Sequence, residues 1–177
     1  MSAEPPFDPL SALCALRDAD VDFVLIGGVA ARLHGSPSLT RDVDICYSRD
    51  RENVERLAAA LGSLHARLRS VDDDVPFRLD ATTLLAGANF TFTTDVGDID
   101  VLALPAGVDG YQDLAKSADV VDLDGFSILV TTLDDLIRMK RAAGRAKDRA
   151  EVEILAALRE ERGRSQRRRP ATDDTTQ

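Results

Sequence analysis

The sequence predicts an α+β domain in which a mixed β-sheet packs against helices and two helices close the chain. Three observations predict it. Short apolar strands and amphipathic helices alternate as α, β, α, β, α through the first third of the chain. Two hairpin signals follow, around Asp95-Val96-Gly97 and Asp124-Gly125, each between strand-like runs. The next stretch carries helix start and stop signals at Thr132, Gly144 and Asp148.

Each element has a local reason. Asp8-Pro9 opens a helix as N-cap plus Pro at the first helical position, with Leu10, Leu13, Cys14 and Leu16 as its apolar stripe and an end near Ala19. Residues 23–26 form a strand that ends at Gly27-Gly28. A short helix over 28–34 follows, with Gly35 as its terminator. Residues 41–47 form the second strand, and 51–61 a helix with Val54, Leu57, Ala58 and Leu61 on one face. Residues 64–68 read as a strand and 71–78, with Asp72-Asp73-Asp74, as loop. Asp80 caps a helix over 81–88, and 90–94 with 99–104 make the first hairpin. A helix over 111–117 precedes the second hairpin, 120–123 with 126–130 around the two-residue Asp124-Gly125 turn. The last two helices run from Thr132 to Gly144 and from Asp148 to about Arg162.

At 177 residues the chain divides into one domain, 1–158, and an Arg-rich tail, 159–177, read as helix end and disorder. Apolar residues make up 44% with no Trp, so the core is built from Leu, Val, Ile and Ala. No apolar run reaches the ~20 residues that span a bilayer. The N-terminus, MSAEPPFDPL, is acidic and Pro-rich, unlike a secretory signal, and a cytoplasmic location is expected. Cys14 and Cys46 sit in apolar elements without CxxC spacing and read as buried free thiols. The tail has six Arg against four acids, a net +2, which leaves −11 of the net −9 on the first 158 residues. Such a domain repels phosphate backbones, which argues against a large RNA substrate and leaves room for a small or protein one.

The most informative stretch is residues 26–45, IGGVAARLHGSPSLTRDVDI. Asp42 and Asp44 alternate along a strand and so project from one face. Two adjacent carboxylates repel, and a divalent cation, Mg²⁺ with Mn²⁺ as alternative, makes the pair favourable. Gly27 and Gly28 bare the backbone where N–H groups at a helix start can meet phosphates. Together these features point to phosphoryl or nucleotidyl transfer.

Gly27-Gly28, thirteen residues, then Asp42-Val43-Asp44 resembles the signature of the polymerase-β-like nucleotidyltransferase superfamily. Within it, AARLHGSPSLTRDVDI and LDDLIRMKRAAGRAKD resemble the small AbiEii-like toxins of type IV toxin–antitoxin systems, and the resemblance runs from about Val21 to Leu158. It implies a minimal nucleotidyltransferase fold and a third carboxylate. Asp98 and Asp100 are the candidates; Asp100, flanked by Ile99 and Val101, matches the family pattern, while Asp98 serves the turn. Asp42, Asp44 and Asp100 would then bind metal, with Asp100 also accepting the proton of the attacking hydroxyl. Many relatives have Gly-Ser where this chain has Gly27-Gly28. Arg41 either holds a phosphate or pairs with an acid. The resemblance places Lys140 and Lys147 on the nucleotide's phosphates, whereas helix-dipole compensation explains them equally. Asp148 with Glu151 is either part of the late family motif or a capping box. His34 and Ser36, Ser38 and Thr40 read as capping or lining groups.

The implied activity is NMP transfer from an NTP to an acceptor, first of all tRNA or another RNA, by a toxin with a cognate antitoxin. A small molecule such as an aminoglycoside, or a partner protein, is the alternative acceptor. A catalytically silent nucleotide-binding module is the reading from another class.

Overall fold

The computed structural model describes residues 6–69 and 77–168. The element order is α1 (Pro9–Asp18), β1 (Phe23–Ile26), α2 (Gly27–Leu33), β2 (Asp42–Tyr47), α3 (Arg51–Ser63), β3 (Arg67–Leu68), α4 (Ala81–Ala86), β4 (Asn89–Thr94), β5 (Gly97–Leu102), α5 (Tyr111–Ala115), β6 (Asp119–Leu123), β7 (Phe126–Val130), α6 (Leu133–Ala143) and α7 (Asp148–Arg168). The strands form one mixed sheet in the order β3-β4-β5-β2-β1-β7-β6. β2 runs antiparallel to β1 and parallel to β5, and β1 runs parallel to β7.

Local chemistry accounts for most boundaries. Asp8 caps α1 by accepting the Ser11 N–H at 3.0 Å, Asp80 caps α4 through the Thr83 N–H, and Thr132 caps α6 through the Asp135 N–H. Gly144 ends α6 in the left-handed conformation. Asp124 and Gly125 both have positive φ, the paired geometry of a tight hairpin that follows the twist of β6 and β7.

Several expectations are corrected. The strand expected at 64–68 shrinks to Arg67–Leu68, because α3 continues through Ser63 and Leu64 and His65 turn the chain. α4 and α5 end two residues early, and α7 runs beyond Arg162 to Arg168. On α1 the buried stripe is Ala12, Leu13 and Leu16, while Leu10 is 38% exposed. Residues 71–76 of the expected acidic loop, and Arg169 onward in the tail, lie outside the described residues. Cys14 and Cys46 are free thiols, half-buried and buried. No helix among the described residues is long and apolar enough to cross a membrane.

The core lies where α1 and α3 cover one face of the sheet. Val43 and Ile45 of β2 and Ile99 and Val101 of β5 point into it and are nearly fully buried. Period-two alternation therefore turns Asp42, Asp44, Asp98 and Asp100 to the opposite face. Asn53 at the start of α3 is fully buried and ties the strand ends together. It accepts the Asp22 N–H at 2.7 Å and donates to the Asp22 and Ser48 carbonyls at 3.1 and 2.8 Å. Asn53→Ala leaves the Asp22 N–H and the Ser48 carbonyl without this partner, while the Asp22 carbonyl keeps the Ser48 N–H, and is expected to destabilise the fold by about 2 kcal/mol in urea unfolding, each orphan contributing roughly 1 kcal/mol.

Candidate active site

The parallel register sets Asp42 beside Asp98 and Asp44 beside Asp100. One oxygen each from Asp42, Asp44 and Asp100 lies within 4.8 Å of the others. Mg²⁺ at its usual 2.0–2.1 Å bond length needs ligands within about 4.2 Å of one another, so a small rotation closes the set. Three hard carboxylate donors suit Mg²⁺ or Mn²⁺ and fit poorly with softer metals. Asp98 stands outside this trio. Its two oxygens are engaged by Thr93 Oγ1 and by Arg69, each at 2.9 Å.

The glycine pair makes this geometry possible. Gly27 has a φ of +67°, and a Cβ there would collide with the Asp44 carboxylate. A Cβ on Gly28 would collide with the Thr40 hydroxyl. The Gly28 N–H itself donates to Asp44, and Thr40 Oγ1 donates to Asp42 Oδ1 at 2.8 Å. The pair thus lets α2 sit directly against the carboxylates.

Burial first, then the charges of Asp42 and Asp100, pushes the Asp44 carboxyl up to about 7, against the opposing Gly28 N–H and the Lys140 charge. Burial also raises Asp100, with Arg69 opposing and Asp42 adding to the rise. These are groups that want a cation.

A cavity of about 600 Å³ opens over the trio. Gly27, Gly28, Thr40, Asp42, Asp44 and Asp100 form its floor, and Arg41, Lys140, Arg145 and Lys147 bring positive charge to its wall. Leu102, Leu104 and Pro105 give one apolar side, with Leu39 at the rim 89% exposed. All eight residues singled out from sequence, Gly27, Gly28, Arg41, Asp42, Asp44, Asp100, Lys140 and Lys147, line this one cavity.

The late motif differs from expectation. Asp148 and Glu151 form no capping box. The Asp148 N–H donates to the Arg145 carbonyl, its Oδ2 accepts from Arg145 N–H and Nε, and Glu151 is ion-paired with Lys140. Asp148 is buried with Lys140 Nζ 3.8 Å from its other oxygen. His34 caps α2 and its Nε2–H donates to the Thr131 carbonyl at 2.6 Å, a packing role. Sequence reading missed Arg69, which belongs to no motif and is brought to the site only by the tertiary register, and it gave Arg145, within the late LDDLIRMKRAAGRAKD stretch, no role of its own.

No protein-family model matches this chain, and no curated protein matches its sequence. Among solved structures it is similar to the lincosamide antibiotic adenylyltransferase LnuA in its lincomycin-bound form, with a TM-score of 0.58 and 13% identity over 85% of this chain and 95% of that one. It is also similar to TM1012 of Thermotoga maritima, assigned as a nucleotidyltransferase, with a TM-score of 0.50 and 17% identity over 91% of this chain and 99% of that one. The chain shares the fold of these two structures.

Two outcomes are expected. Gly27→Ala displaces Asp44 and strains a positive-φ position, so it is expected to abolish the rise in melting temperature that Mg²⁺ should give the parent protein. The second concerns pH. The folded Asp44 carboxyl, at about 7, lies above its ordinary 3.8, so its contribution to stability is complete below 3.8 and is lost as pH rises to about 7. That loss is on the order of 4 kcal/mol. A bound cation must displace this proton, so millimolar Mg²⁺ should raise the melting temperature by about 5 °C near pH 8 and by almost nothing near pH 5.5. Equal shifts at both values would exclude Asp44 as a ligand.

Proposed function

We propose that this chain is a metal-dependent nucleotidyltransferase that moves an NMP from an NTP to an acceptor hydroxyl and releases pyrophosphate. The observation that carries this reading is the convergence of Asp42, Asp44 and Asp100 on the floor of a cavity with basic groups along its wall. Consumption of an NTP fits the expected cytoplasmic location.

Asp42, Asp44 and Asp100 would hold Mg²⁺ or Mn²⁺, which would supply charge to polarise the α-phosphate and lower the pKa of the acceptor hydroxyl. Gly27 and Gly28 carry no side chain and leave room for the phosphate chain over the backbone. Lys147 and Arg41, both exposed on the cavity wall, neutralise the β- and γ-phosphates. Lys140 joins them on release from Glu151. The acceptor oxygen bonds to the α-phosphorus while the bond to the β-phosphate oxygen breaks, and its electron pair leaves with pyrophosphate. Asp100 takes the hydroxyl proton.

For the acceptor, the charge of this chain favours a small cationic molecule over a nucleic acid. The domain carries −11, and a cavity of about 600 Å³ matches a small-molecule site. The chain also spans 95% of LnuA, whose structure holds lincomycin, so a further acceptor domain is not required by the fold. The second reading is an AbiEii-like toxin acting on tRNA or another RNA and neutralised by an antitoxin. It is supported by the resemblance of LDDLIRMKRAAGRAKD and by the basic face that Arg41, Arg145 and Lys147 give the cavity. A partner protein as acceptor, or a module that binds nucleotide without turnover, are the remaining outcomes of the same assay.

The test incubates the protein with Mg²⁺ and each α-³²P-labelled NTP, together with total tRNA, cell protein and a panel of aminoglycosides and lincosamides. Asp44→Ala is expected to stay folded and to lose transfer by about a thousandfold or more, as removal of a group acting at the reacting centre does. Label on an antibiotic supports the small-molecule acceptor, and label on tRNA supports the toxin reading. Full transfer by Asp44→Ala would falsify the assigned site.

A further inference from the structure

We propose that Arg69 is a positioning residue for the carboxylate trio, acting through Asp100, and that Asp98 is its anchor and not a metal ligand. This rests on the nucleotidyltransferase reading of the trio.

A chain of polar contacts leads from the sheet to the site. Thr93 Oγ1 on β4 donates to Asp98 Oδ1 at 2.9 Å, and Arg69 Nη1 donates to Asp98 Oδ2 at 2.9 Å. Arg69 Nη2 then donates to Asp100 Oδ1 at 2.9 Å and Oδ2 at 3.2 Å. The Arg69 backbone is fixed too, its N–H donating to the Thr91 carbonyl at 2.9 Å. Asp98 and Asp100 lie two residues apart on one face of β5, and the planar guanidinium has donors set to bridge them. A lysine ammonium on its flexible stem has no such fork.

Position separates this role from catalysis. Arg69, Asp98 and Thr93 are not among the residues lining the cavity, whereas Asp100 is. Arg69 bears on the site through Asp100, by orienting its carboxylate and by its charge beside the trio. A carboxylate has about four lone-pair positions, and Arg69 occupies at most two on Asp100, leaving the others for a cation. Outer groups of this kind, orienting a ligand by hydrogen bonds, typically change metal affinity by about 10- to 100-fold when removed.

Removal of Arg69 has two opposed consequences. Loss of a positive charge beside the trio favours a cation, while loss of the fork lets Asp100 rotate away. Arg69 is held at both ends, its backbone N–H by the Thr91 carbonyl and its guanidinium by Asp98, so the orientation effect is the one the geometry builds in.

The experiment measures Mn²⁺ binding to the full chain by loss of the free-ion electron paramagnetic resonance signal, with no turnover required. Circular dichroism melting checks that each variant is folded. Arg69→Ala should weaken Mn²⁺ binding by about tenfold, and Arg69→Lys should fail to restore it. Asp98→Asn and Thr93→Val, which keep Arg69, should weaken binding in the same direction by about threefold, and they decide the question if Arg69→Ala does not fold. Turnover, measured alongside, should fall in the same order, with the NTP KM changed less than kcat. Tighter or unchanged Mn²⁺ binding in folded Arg69→Ala, or full restoration by Lys, would show a counter-charge only and overturns the proposal. Asp44→Ala separates the two failures. If it loses Mn²⁺ while Arg69→Ala and Thr93→Val bind like the parent, the Arg69 proposal alone falls. If Asp44→Ala also binds like the parent, the trio itself is misassigned and the proposal falls with it.

Discussion

Mutual repulsion among carboxylates on one face of β2 and β5 is the constraint around which the molecule is arranged. Asp42, Asp44, Asp98 and Asp100 are brought side by side by a parallel register that their charges oppose. The other face of the same two strands holds them there. Val43, Ile45, Ile99 and Val101 are almost fully buried, each contributing roughly 1.5–3 kcal/mol. Against this, the burial and crowding that lift Asp44 to about 7 oppose folding by on the order of 4 kcal/mol at neutral pH and above. The apolar face wins. A one-residue slip would exchange the two faces, burying the carboxylates and exposing the aliphatic residues, so the register that creates the repulsion is also the only one the core permits.

The same logic explains what was legible in the sequence. Asp42 and Asp44 announce a shared face because the strand period is two, and Asp124-Gly125 announces its hairpin because the turn demands positive φ. These are local rules. The pairing of β2 with β5 sets Asp42 beside Asp98 and Asp44 beside Asp100, residues far apart along the chain, and nothing local encodes it. It was the resemblance that supplied Asp100 as a partner of Asp42 and Asp44. Arg69 remained hidden for the same reason. It follows a two-residue strand in a stretch with weak periodicity, and its meaning appears only once β3, β4 and β5 are laid side by side.

Around Lys140, the sequence offered two readings that the structure combines. Its helix-terminal position suits the dipole of α6, yet its side chain lies in the cavity wall between Asp148 and Glu151. Asp148 is buried and draws on Arg145 for hydrogen bonds and on Lys140 for charge, which pins the start of α7 to the end of α6. The basic wall of the cavity and an ionic clasp between two helices therefore share Lys140 and Arg145. Spacing alone could not separate a capping box from a ligand site, because the acid that would cap, Glu151, is instead drawn across to Lys140.

The glycine pair shows how such a site constrains its own sequence. The chain has Gly27-Gly28 where the resemblance leads one to expect Gly-Ser, and Thr40 fills the space that a side chain at 28 would take. Its hydroxyl lies where a side chain on residue 28 would begin, and from there it donates to Asp42. A serine at 28 and a threonine at 40 cannot share that space with the backbone as it stands. The chain thus places a hydroxyl beside the carboxylate trio from the loop before β2 instead of from the start of α2. In doing so it commits that hydroxyl to orienting Asp42, and it leaves the backbone at 27 and 28 bare for whatever enters the cavity.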